Sequence, residues 1–104
     1  MAHVHVVAII TTKPGMRDAV LKEFKANVPN VHAEDGCIFY EPTIDAPDIG
    51  PFQAEVGADT FVVIEKWESA AHLDAHSKAP HMAEYAGKVK DMLASRVIHV
   101  LQEV

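Results

Sequence analysis

A chain of 104 residues can bury one core and not two, so a single domain over residues 1–104 is expected. Hydrophobic residues make up 49% and charged residues 23%, which excludes a disordered chain, and a net charge of -6 with no basic run argues against nucleic acid or an anionic membrane as partner. Cys37 is the only cysteine, so neither an intrachain disulfide nor a CxxC site can form, and a reducing cytoplasm suits the chain.

The opening "MAHVHVVAII" has no cation ahead of its apolar run, no cleavage signature and too little length to span a membrane. His3–Thr12 therefore reads as a first strand, closed by "KPG". Val4, Val6, Ala8 and Ile10 share one side of it, and Val7 and Ile9 share the other with His3 and His5, the pattern of a strand covered on both faces. Beyond Pro14, Met16, Val20, Phe24 and Val28 recur every four residues and predict an amphipathic helix that Pro29 kinks or ends. "CIFYEPT" reads as a strand with Pro42 at an edge or bulge, and Asp45 to Ala58 as a long loop.

"TFVVIEKWE" alternates, with Phe61, Val63, Glu65 and Trp67 on one side. Ser69 caps a short helix that runs to about Lys78, and Pro80 opens a second helical stretch with an apolar stripe of Met82, Tyr85, Ala86, Val89, Met92 and Leu93. "RVIHVLQEV" closes the chain as a strand. This order gives an α+β, ferredoxin-like split βαβ fold in which a four-stranded antiparallel sheet carries its helices on one face. Because the strands are apolar on both sides, the bare face needs a cover, and a homodimer with facing sheets, a dimeric α/β barrel, is expected.

On a helical wheel His72 and His76 fall in one band with Leu73, Ala75 and Ala79, opposite Asp74, Ser77 and Lys78. Three readings stay open for these histidines: core or rim groups with ordinary partners, metal ligands joined by His81 or Glu84, or acid/base groups, since a neutral imidazole takes protons near pH 7. The HxxxH spacing lacks the general-base Glu of zinc proteases, so no metal is assigned. Glu65 shares its strand face with Trp67, and His5 and His99 are candidates for the same interior, in competition with solvated rim positions. There is no GxGxxG, P-loop or GxSxG, and Cys37 has no cation beside it to make it a nucleophile.

"KPG", "EDGCIFYE", "FVVIEKWES" and "HLDAHSKAPHM" together resemble the antibiotic biosynthesis monooxygenase family, small dimeric α/β-barrel proteins that include quinol monooxygenases. The most specific part is Glu65, Trp67, His76, Pro80 and His81 in order and spacing. The resemblance implies oxygenation of an electron-rich aromatic by O₂ without metal, flavin or other cofactor. It makes His76 the proton acceptor, Trp67 a wall or orienting donor of the catalytic site, and His72 and His81 secondary polar groups for the substrate. The long Asp45 to Ala58 loop departs from the family's tighter connection. The same His would also serve an isomerase or tautomerase, and an inert barrel would use the same cavity to hold a ligand.

Overall fold

The computed structural model describes residues 3–104. Its elements are β1 (Val4–Thr12), α1 (Arg17–His32), β2 (Cys37–Thr43), β3 (Thr60–Trp67), α2 (Ala70–Ser77), α3 (Pro80–Val89), a 3₁₀ turn (Lys90–Met92) and β4 (Leu93–Gln102). The strands form one antiparallel sheet in the order β2-β3-β1-β4, the ferredoxin-like α+β arrangement expected from the element order. β2 lies at an edge, and its register slips between Cys37 and Phe39, so Pro42 removes no donor from a central ladder.

Two boundaries differ from expectation. α1 runs through Pro29 to His32 instead of ending there, and its end is closed by the Ala33 N–H donating to the Pro29 carbonyl and the Glu34 N–H donating to the Val31 carbonyl. Pro29 is exposed, so the carbonyl that loses its helical donor is within reach of water and the break costs little. β4 begins at Leu93, not Arg96: the 3₁₀ turn has exhausted the helix, and Leu93 takes extended angles while still packing on the core.

Register decides which face each side chain sees. Val6, Ala8 and Ile10 of β1, Tyr40 of β2 and Phe61, Val63, Glu65 and Trp67 of β3 are all buried under the helices, against Val20, Phe24 and Val31 of α1 and Val89 of α3. Phe24 stacks on Tyr40 at 5.3 Å and meets Phe61 and Tyr85 edge-on, a cluster that fixes α1 and α3 over the sheet. On the opposite face Ile64, Val97 and Leu101 stay exposed, so the sheet is apolar on both sides as the strand patterns predict. Among the described residues no helix is long and apolar enough to cross a membrane.

Candidate active site

Helices and sheet do not close completely on one another. Between α3 and the strands lies a cavity of about 810 Å³, walled mainly by Ala8, Ile10, Val63, Met82 and Val89, with Tyr40, Glu65, His76 and Tyr85 among its polar groups and Lys78, Lys90 and Arg96 as its cations. That volume suits a ligand of one to three fused rings.

His76 reaches the cavity because α2 is started and aimed by Ser69. The Ser69 hydroxyl accepts from the His72 backbone N–H at 3.2 Å and lies 2.7 Å from His72 Nδ1, so the helix begins at Ala70 and turns His76 beneath it. The "EDG" turn between α1 and β2 then receives both histidines. His72 Nε2 lies 3.3 Å from Asp35 Oδ2 at the surface, and His76 Nδ1 lies 2.8 Å from Glu34 Oε2 in the interior. Glu34 Oε2 also accepts from His81 Nε2 at 3.1 Å, so one carboxylate oxygen holds two imidazoles.

Gly36 makes this approach possible. Its φ of +84° disfavours any side chain, and a Cβ there would collide with the His72 ring. Gly36→Ala is expected to lower unfolding free energy by about 2–4 kcal/mol, read from denaturant midpoints at unchanged slope, since strain and a rigid ring clash act together. An effect within the scatter of surface substitutions would mean that the turn relaxes freely.

Behind His76 stands Trp67, fully buried, with ring centroids 4.6 Å apart. Its indole N–H donates to Glu65 Oε1 at 2.9 Å. The tryptophan is therefore not a cavity wall. It fills the core under α2, packs against the His76 imidazole and hydrogen-bonds Glu65. Tyr40 meets the same imidazole edge-on at 5.4 Å and pairs with Glu65 across the strands. Burial, reinforced by the charge of Glu65, pushes the Tyr40 phenol far up, so it remains a proton donor at any working pH.

Glu65 is held above its ordinary carboxyl value of 4.5 by burial, against the opposing pull of the Trp67 N–H and His76. The unfolded chain releases this proton near 4.5 while the folded chain keeps it to higher pH, so the folded state binds more protons in that window and stability falls as pH rises through it. Glu65→Gln keeps an oxygen for the indole N–H. Its melting temperature should gain on the parent protein more at about pH 8 than at about pH 4.5; a pH-independent gain would show that ionisation is not what burial penalises.

Of the seven residues expected to form the site, only Glu65 and His76 line the cavity. His72 faces the Asp35 turn, where it forms a surface group with Asp35 and Glu68. The two histidines of the HxxxH spacing thus grip adjacent acidic residues instead of chelating one ion. His81 stands behind Glu34, not in the cavity. His5 and His99 do not share the interior with Glu65 and Trp67. Val6 is the register partner of Glu65, so His5 points to the other face, where His99 follows it as the partner of Val7.

Glu34, Tyr40 and Tyr85 were not among the expected site residues. Glu34 lies in the "EDGC" turn that contributes to the family resemblance, and Tyr40 was legible only as an aromatic on a short strand. The Cys37 thiol is half-buried and raised by that burial and by Glu34 and Glu65, the opposite of an activated nucleophile. No residue of the Asp45 to Ala58 loop lines the cavity. The loop is pinned at its neck, where Asp45 accepts from the Val56 and Gly57 N–H groups at 2.9 Å each.

Chemically, the arrangement offers one strong feature. With Nδ1–H donated to Glu34, the neutral tautomer of His76 leaves Nε2 as a lone pair with no protein partner, on a residue that lines the cavity.

Fold and site together define an α+β, ferredoxin-like protein with a carboxylate–imidazole pair beside a largely apolar cavity. The family described as "Antibiotic biosynthesis monooxygenase" matches residues 3–88, and this chain belongs to it. The chain is 43% identical over 99 residues to the "Probable quinol monooxygenase YgiN" of Escherichia coli K12, covering 93% of this chain and 94% of that protein. Among solved structures it is similar to PA3566 from Pseudomonas aeruginosa, at 26% identity and TM-score 0.82 over 100% of this chain and 96% of that one. It is also similar to Rv0793 from Mycobacterium tuberculosis, at 26% identity and TM-score 0.80 over 98% and 95%. Its reaction class is that of a monooxygenase.

Proposed function

We propose that this chain oxygenates an electron-rich aromatic, a quinol or a related phenol, using O₂ and no cofactor, with His76 Nε2 as the proton acceptor. The observation that carries this reading is the Glu34–His76 pair opening on an apolar cavity sized for fused rings. A relative whose name specifies quinol supports the substrate class.

Deprotonating a quinol hydroxyl gives an anion electron-rich enough to reduce O₂ directly. One oxygen atom enters the ring, the other leaves as water, and the substrate supplies all the electrons and ends as a hydroxylated quinone. The protein then needs a base, a dry space and orientation, which His76, the apolar walls and the Tyr40 hydroxyl supply. The decisive experiment follows a naphthoquinol with labelled O₂ in chelator-treated buffer. One labelled oxygen per product and one O₂ consumed per quinol are expected. Turnover without O₂ uptake would make the chain an isomerase or tautomerase, and binding without turnover a ligand carrier.

The same proposal includes a homodimer, with the reaction in the cytoplasm. The exposed apolar side chains of the bare sheet face, among them Ile64, Val97 and Leu101, favour a second copy as their cover. Light scattering is expected to give twice the chain mass, and Val97→Lys with Leu101→Lys to give a monomer, because two charges cannot be buried unpaired. A monomeric parent protein would remove the barrel from the proposal.

A further inference from the structure

The chain is acidic, yet its cavity is not. Of fifteen Asp and Glu residues only Glu65 lines the cavity, whereas three of the nine Lys and Arg residues do so, Lys78, Lys90 and Arg96. Random placement on a protein of this charge would favour the opposite. Lys78 is satisfied by Asp74 at 3.0 Å. Among the described residues neither Lys90 nor Arg96 has a carboxylate within ion-pair distance. Asp91 follows Lys90 in sequence, is exposed and does not line the cavity.

We propose that the cavity takes an aromatic substrate carrying a carboxylate, which Arg96 and Lys90 bind at the end remote from His76. The inference rests on the reading that this cavity is the substrate site, and it names the substrate more closely. Arg96 is the register partner of Ile10, and Glu65 the partner of Val6, four residues away along β1. That offset is about 13 Å along the strand, and β4 lies two strands from β3, a further ~10 Å across the sheet. The two ends of the cavity are therefore separated by roughly the length of a two- or three-ring system with a short acidic arm, once the reach of Arg96 is allowed for.

The Arg96 guanidinium also acts on Tyr85, whose phenol burial raises to about 12 against the pull of Arg96. This cation is thus directed at the cavity lining and not only at bulk water. A planar guanidinium matches a carboxylate in two parallel hydrogen bonds, and Lys90 adds a second, mobile charge. At the other end Glu65 is the one carboxyl in the lining, so an acidic arm is disfavoured there and favoured beside the two cations. The polarity of the cavity therefore orients its ligand: acid towards Arg96, oxidisable ring towards His76.

The test separates binding from turnover. Two oxidised, unreactive probes are titrated against the full chain: a naphthoquinone with a short arm ending in a carboxylate, and the same compound as its carboxamide. Quenching of Trp67, the only tryptophan and the neighbour of His76, reports occupancy. In low salt the carboxylate is expected to bind about tenfold tighter than the carboxamide, a preference that salt erodes. In the Lys90→Gln, Arg96→Gln protein the two probes should bind alike; both residues are exposed, so the substitutions change charge without unfolding the chain. Equal binding by the parent protein, a preference that survives in the double variant, or no binding of either probe would overturn the proposal. Because no turnover is measured, a chain that oxidises no quinol can still pass, and one that oxidises only neutral quinols fails here alone.

Discussion

His76→Ala is expected to slow quinol-dependent O₂ uptake by about 10²–10⁴-fold, with KM nearly unchanged, because the variant removes the proposed proton acceptor and leaves the apolar walls in place. The ring sits between Trp67 and Tyr40 and is 5% exposed, so its loss also opens a void and leaves Glu34 with His81 alone. A stability loss of about 1–3 kcal/mol should follow, which a thermal melt can verify while showing that the variant remains folded. The kinetic effect is larger than that loss can explain for a protein still native at assay temperature. Uptake near the parent rate would move proton abstraction to another cavity group, and Glu65, with its raised carboxyl, would be the next candidate.

Alternation along β1 and β3, the amphipathic repeat of α1 and the stripe on α3 carried the fold, because each is a local pattern with one period. That both sheet faces are apolar was legible in the same way. The site was only partly so. Period two tells which residues share a face within one strand, and it correctly joined Glu65 to Trp67. It does not tell which residue of β1 stands opposite Glu65. That register is set by the whole sheet, and since Val6 takes the position, His5 and His99 end on the far side. Helical spacing likewise placed His72 and His76 on one face, but their separate fates depend on a turn that no periodicity describes. Gly36 at positive φ lets the "EDG" turn approach α2, presenting Asp35 to one imidazole and Glu34 to the other. Glu34 was invisible as a site residue for that reason: it lies after a helix that runs through a proline, in no repeating pattern, and its role is given by contacts with residues more than forty positions away.

Glu34→Gln is therefore the most direct test of how the site works. The amide is the same size, and its oxygen can still accept from both His76 Nδ1 and His81 Nε2, so α2, α3 and the turn remain tied together. What disappears is the negative charge beside His76, which in the proposed mechanism stabilises its imidazolium during proton transfer. If the amide turns its NH₂ towards His76, the proton moves to Nε2 and the Nε2 lone pair is lost as well. Either outcome lowers kcat, by about 10²–10⁴-fold on the scale of a carboxylate that orients a catalytic imidazole, with little change in KM because Glu34 does not line the cavity. A purely structural role would instead lower the melting temperature and raise KM without a selective loss of kcat. The double variant with His76→Ala decides between the two roles. If Glu34 works through His76, removing both should cost no more than about threefold beyond His76→Ala alone, as expected for groups that act as a unit. Losses that multiply would show Glu34 acting on the reaction independently of the histidine it holds.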